Sequence, residues 1–155
     1  MEKRIWLSAF LLFIFSQVDA QLYLKNKSRD YLNKTARIVR LSHEKLPRLE
    51  NREKIGYFAK AVKQQRAAKY FYERDKYHEA LCHSHYGREM AFIIFMEDNP
   101  NFPRNLDYSD MERSLVKNCP TDEKLQEIVI EMNPGIKFED EPYEQDDYIY
   151  NIEVE

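Results

Sequence analysis

The chain has 155 residues, 24 Lys and Arg against 27 Asp and Glu, a formal net charge of -3, three glycines and two cysteines. That length supports one domain with a modest core rather than several. Three glycines, at positions 56, 87 and 135, are too few for turn-rich β folds or for phosphate loops built on glycine, which leaves helix as the default architecture.

The first twenty residues follow a three-part pattern: Lys3 and Arg4, an apolar run from Ile5 to Val18, then Val18-Asp19-Ala20 ahead of Gln21. A cationic start, a short apolar stretch and small residues before a cut describe a secretory signal peptide over residues 1–20. An uncleaved anchor would need roughly 20 apolar residues, whereas Ser8, Ser16 and Gln17 interrupt this run and Asp19 ends it. The compact leader resembles bacterial export signals. The expected mature chain starts at Gln21, is periplasmic or secreted, and has no transmembrane segment, since no second hydrophobic run follows.

Residues 21–136 read as a helical domain. From about Ser28 to Leu46, Leu32, Ala36, Val39 and Leu46 recur at helical spacing until Pro47 closes the segment. A second helix, from about Arg52 to Glu73, sets Ile55, Phe58, Val62, Ala68 and Phe71 or Tyr72 on one face. After a polar turn, Tyr77, Ala80, Leu81, Ser84, Ala91, Ile94 and Phe95 form a third stripe ending before Asn99-Pro100. So short a connection makes helices two and three antiparallel neighbours. Asn99 to Asp107, with two prolines, is a loop. Ser109 with Glu112 predicts a capping box opening a short fourth helix that carries Leu115 and Val116. Thr121 ahead of Asp122 and Glu123 starts a fifth, with Leu125, Ile128 and Val129 inward and Asn133-Pro134-Gly135 as its stop. The expected fold class is all-α: a small bundle of about five helices around an antiparallel hairpin.

Residues 137–155 form an acidic tail with tyrosines at 143, 148 and 150. Eight carboxylates against Lys137 alone oppose compaction and predict a flexible, disordered segment. Within it Tyr148, Tyr150, Ile152 and Val154 alternate with Ile149, Asn151, Glu153 and Glu155, a period-two pattern suited to adding a strand to a partner's sheet edge. From Lys25 to Arg88, by contrast, 17 Lys and Arg face 7 Asp and Glu. The body and the tail should attract. The sharper expectation is a tail that folds back over a basic face until a partner displaces it; the plainer one is two solvated surfaces.

Cys82 and Cys119 are separated by 36 residues, and in an oxidising compartment a lone pair suits a disulfide. The same stretch holds the one cluster with metal chemistry. His78, Cys82, His85 and Glu89 follow i, i+4, i+7, i+11, and adjacent members suit Zn²⁺ or another transition ion. One ion cannot hold His78, Cys82 and His85 together, because seven residues of helix span roughly 10.5 Å. A metal site would borrow ligands from elsewhere, such as His43, and would compete with the disulfide for the Cys82 sulfur.

Residues 61–92 resemble one tetratricopeptide repeat: Ala68 and Phe71 in the first helix, Tyr77 and Ala80 opening the second, Gly87 near its middle. Ser84 stands where that family usually has an aromatic residue, the closing proline is missing, and no second copy follows at a 34-residue period. The resemblance implies a protein-binding groove rather than catalysis.

No G-x-S-x-G, glycine-rich phosphate loop, C-x-x-C or H-E-x-x-H motif is present, so an enzyme has no nominee. Basic residues interleaved with aromatics, as at Lys69-Tyr70-Phe71-Tyr72, suit nucleic acid, but export argues against that partner. The expected function is non-covalent binding or scaffolding by an exported helical module. Lys60, Lys63, Arg66, Lys69 and Lys76 would face an envelope or secreted protein or an anionic envelope polymer, and Tyr148 and Tyr150 would dock. No cofactor is expected on this reading. The alternative is a transition-metal-binding protein using His78, Cys82 and His85.

Overall fold

The computed structural model describes residues 2–46, 52–96, 106–132 and 151–155, with the side chains of the first helix described from residue 21 onward. Among the described residues there are five α-helices and no strand: α1 Glu2–His43, α2 Arg52–Tyr72, α3 Tyr77–Met96, α4 Asp110–Val116 and α5 Asp122–Met132. α2 and α3 pack against each other most extensively. α1 lies across both, and α4 and α5 rest on α3. No helix among the described residues is long and apolar enough to cross a membrane.

The expected first helix starts far too late. α1 runs unbroken from Glu2, through the position expected for cleavage, because neither proline nor glycine occurs before Pro47. Ser28, expected near its start, lies well inside it. The Ser28 hydroxyl donates to the Leu24 carbonyl at 2.7 Å, the back-bond of a mid-helix serine rather than a cap.

The α2–α3 turn closes by a paired hydrogen-bond pattern. The Lys76 amide donates to the Phe71 carbonyl and the Asp75 amide to that of Tyr72, while Asp75 takes φ 59°. This is a Schellman closure with aspartate in the left-handed position that glycine usually fills. Its carboxylate accepts from the Tyr77 hydroxyl, which burial and Asp75 hold up at a pKa of about 12. Further along, α3 comes close to α2 at Gly87. A Cβ there would lie 3.1 Å from the Ala61 carbonyl oxygen, so only glycine leaves both backbones where they are.

The capping box forms as expected: the Glu112 amide donates to Ser109 Oγ at 3.2 Å and the Ser109 amide to Glu112 at 2.7 Å. Leu125 and Val129 of α5 are buried and Ile128 is partly so. Cys82 and Cys119 are bonded, with Cα atoms 5.3 Å apart, which pins the end of the α4 segment to α3.

The core has two parts. One gathers Ala36, Val39, Phe58, Ala61, Val62 and Ile94; the other gathers Tyr31, Leu32, Ala68, Phe71, Leu81 and Val129. Residues 137–150 of the expected disordered tail lie outside the described residues, Tyr148 and Tyr150 among them. Residues 151–155 are placed, and disorder does not describe them: Ile152 sits fully buried in the first part of the core and Val154 in the second. Over residues 151–155 the alternation read from sequence is realised against helices.

Candidate functional site

The C-terminal tip lies along α1 and α2 as an extended segment with Asn151, Glu153 and Glu155 outward and Ile152 and Val154 inward. Its backbone is held by two helix side chains. Asn33 of α1 donates from Nδ2 to the Val154 carbonyl at 2.9 Å, and its Oδ1 accepts from the Val154 amide at 2.9 Å. Both backbone groups of one residue are thereby satisfied by one primary amide.

Gln65 of α2 supplies the second clamp. From complete burial its Nε2 donates to the Ile152 carbonyl at 3.0 Å and to the Leu32 carbonyl at 2.9 Å. The amide cannot flip, because a flip would turn Oε1 onto two carbonyl oxygens; as it stands, Oε1 accepts from the Ser84 hydroxyl of α3 at 2.9 Å. Ser84 and the α1 backbone therefore orient Gln65 independently of the tip. Charge flanks this seam. Arg40 pairs with Glu153, and Lys69 reaches Asn151 Oδ1 at 2.5 Å. Beside the tip, an open pocket of about 490 Å³ is lined by Arg66, Lys69, Tyr70, Glu73 and Asn151. A second, of about 420 Å³, includes Lys25, Tyr72, Val154 and Glu155.

Docking of the tip is close to balanced. Burying one isoleucine and one valine contributes about 1.5–3 kcal/mol each, and the hydrogen bonds about 1 kcal/mol each. Ordering five residues costs about 1–2 kcal/mol apiece. The favourable and unfavourable sides are of similar size.

The structure brings together only part of the basic set expected from sequence. Arg66 and Lys69 meet at the tip. Lys60 does not, because each three-residue step on a helix falls about 60° short of a turn, setting Lys60 and Lys69 on nearly opposite sides of α2. Lys60 is exposed, Lys63 is half-buried, and Lys76 stands in the turn, where its carbonyl accepts from the Ala80 amide. The metal candidates diverge as well. His78 Nε2 lies 3.8 Å from the Cys82 sulfur, but that sulfur is spent on Cys119. His85 turns instead to the Tyr108 hydroxyl at 3.1 Å and to Glu89 at 3.5 Å, and burial holds its pKa below the ordinary value. His43 stacks on Phe58. Among the described residues no three His, Cys, Asp or Glu side chains converge as a metal group.

Three polar residues of consequence escaped the sequence reading: Asn33, Gln65 and Arg88. Arg88 is fully buried between the rings of Tyr31 and Tyr108, at 4.4 and 4.8 Å from their centroids. Both its terminal nitrogens donate to Glu112 Oε1 at 3.0 Å, and Lys34 donates to Oε2 at 2.9 Å. Burial alone would raise the Glu112 pKa; the Ser109 amide, Lys34 and Arg88 overcome it and hold the carboxyl at about 2. Burial raises the Tyr31 and Tyr108 phenols, so both stay neutral. This cluster fastens α4 to α1 and α3. Elsewhere on α3, His83 stacks on Phe71 and shares a 2.7 Å hydrogen bond with Gln64 Oε1, while Gln64 Nε2 donates to Asp122. Burial lowers the His83 pKa to about 4.

A signal for two of the three was present. Gln65 and Arg88 fall at the spacing of the apolar stripes of α2 and α3, where a polar residue must find a partner or stay unpaired. Compared with known proteins, the chain matches no family model, no curated protein sequence and no solved structure. The tetratricopeptide resemblance of residues 61–92 thus rests on the residues quoted for it.

Proposed function

We propose that this protein is an exported helical module acting by non-covalent binding, and that its ligand is an acidic polypeptide taken up along α1 and α2. One observation carries the reading: the chain's own acidic C-terminal tip lies on that surface, with Arg40 on Glu153 and Lys69 on Asn151. The arrangement offers oriented amides, cations and two apolar slots, which suit recognition of a strand. Export is supported by the pattern of residues 1–20 and by a disulfide joining α3 to the segment after α4. The basic residues of the seam are Arg40, Arg66 and Lys69, with Lys25 at its far end.

The test is titration of the full chain with fluorescent polyglutamate at low and at physiological salt. Saturable binding that weakens with salt, and that falls at least tenfold when Arg66 and Lys69 are both changed to glutamate, is the expected result. Binding indifferent to both changes would remove the proposal.

A further inference from the structure

We propose that the seam between α1 and α2 reads register as well as charge: it is a site for an extended segment of a separate protein with the pattern apolar–acidic–apolar, for which Ile152-Glu153-Val154 is the built-in stand-in. The inference rests on the binding-module reading and adds to it the sequence class of the ligand.

The contacts divide into those any strand would satisfy and those that select. Of the tip, Asn33 engages the amide and carbonyl of Val154 and Gln65 the carbonyl of Ile152, backbone groups in each case. Such contacts require extended backbone and ignore side chains. Selection comes from the alternating side chains. The first and third positions enter two different parts of the core, one that includes Ala36, Phe58 and Val62, the other Leu32, Ala68 and Tyr72. The middle position meets Arg40, and the position before the first slot meets Lys69. A slip of one residue would send Glu153 into an apolar slot and an apolar side chain to Arg40, so register is fixed.

The clamp is oriented without the tip. The Ser84 hydroxyl and the Leu32 carbonyl fix the Gln65 amide from the protein side, making Ser84 a positioning residue. A groove already arranged for a strand binds one with little further ordering of its own. The net charge of the tip, two carboxylates in five residues, matches the cations around it and sets the acidic character of the partner.

The experiment uses the full chain carrying Ile152→Ser and Val154→Ser, which empties both slots, and a fluorescein-labelled peptide of residues 148–155 followed by anisotropy. Saturable binding to this variant, at least tenfold weaker to the native chain, whose own tip competes, is expected. Adding Asn33→Ala should weaken it about tenfold, and Ser84→Ala should weaken it less. A peptide of scrambled order and equal charge binding as well as the original would overturn the register claim while leaving the acidic-ligand reading standing; loss of polyglutamate binding would do the reverse. No saturable binding overturns the site.

The native chain provides a second measurement that needs no variant to fold. Exchange of the Val154 amide hydrogen should be faster than that of α2 and α3 amides and should accelerate with excess peptide. Exchange as slow as those helices and unmoved by peptide would make the tip a permanent part of the core and overturn the proposal. Concentration-dependent dimers of the native chain, joined by exchanged tips, would replace the separate partner with a second copy.

Discussion

Two segments distant in sequence are brought onto the α2–α3 hairpin, and they are attached in opposite ways. The α4 segment is fastened at one end by the Cys82–Cys119 bond and at the other by Glu112, which accepts from Arg88, Lys34 and the Ser109 amide. The C-terminal tip is attached by two apolar side chains, two clamping amides and exposed charge. The first attachment is covalent and built on a buried cation, so it fails only with the fold. The second is a sum of small contributions close to the cost of ordering five residues, and the proposed binding mode requires that it release while the bundle stays intact. A binding surface needs the second kind of neighbour.

The sharpest way to break this contrast is to weaken the fastened side. Replacing both cysteines with alanine should lower stability by about 4 kcal/mol on the chain-entropy account of a loop this long, read as a lower denaturant midpoint with a somewhat steeper slope, since the unfolded chain without its cross-link exposes more surface. A loss within 1 kcal/mol would mean that Glu112 alone holds the α4 segment.

Next comes Arg88→Ala, which leaves Glu112 with Lys34 and the Ser109 amide and empties the space between Tyr31 and Tyr108. Removing one member of a buried charged pair costs about 3 kcal/mol or more. Thermal unfolding followed by circular dichroism checks it. Because Gln65 and Asn33 lie elsewhere, peptide binding to the Ile152→Ser, Val154→Ser chain should survive this change wherever the protein remains folded.

Acid tests the bundle through His83 and the fastened side through Glu112, without mutation. The His83 pKa is about 4 in the folded chain against 6.5 as the ordinary value, so the unfolded chain takes up the proton first. Stability is therefore complete above pH 6.5 and falls by up to about 3 kcal/mol as pH drops from 6.5 through 4. Glu112, held at about 2 against 4.5, carries the loss on from pH 4.5 towards 2. Urea midpoints between pH 7 and 3 should fall monotonically. His83→Gln should flatten the upper part of that curve; an unchanged slope would show that another group sets it.

The smallest expected effect belongs to the tip. Fully buried isoleucines elsewhere in a core cost about 2–5 kcal/mol when cut to alanine, but a segment that can lift off limits its own loss. Ile152→Ala and Ile152→Asp should converge on one value, about 1–2 kcal/mol, because nothing more is lost once the tip has gone. Were the aspartate variant several kcal/mol worse than the alanine variant, the tip would belong with the fastened segments.

Much of the secondary structure was legible in the chain. α2, α3, α4 and α5 begin and end within a few residues of the expectation from apolar spacing and caps, since those signals are local and the Ser109–Glu112 pair closes its own hydrogen bonds. The start of α1 differs from the expectation because the apolar spacing from Leu32 onward marks where the helix joins the core and not where it begins; Ser28 bonds back to Leu24 inside it. The basic face was drawn from spacing that drifts around the helix, so Lys60 was grouped with Lys69 although they face apart. Asn33 lay beyond reach, since its partner is 121 positions away.

By itself the sequence determined a helical chain with a tight α2–α3 hairpin, an alternating C-terminal tip and a lone cysteine pair, because propensity, capping and periodicity act over a few residues. Tertiary structure decided where the cysteine pair sits, that Arg88 and Glu112 lock α4 down, and that the tip lies between two helices rather than in solvent. Those outcomes depend on which buried amides and apolar slots face one another across the bundle. Only the packed helices bring Asn33, Gln65 and Ser84 within hydrogen-bonding distance of what they hold.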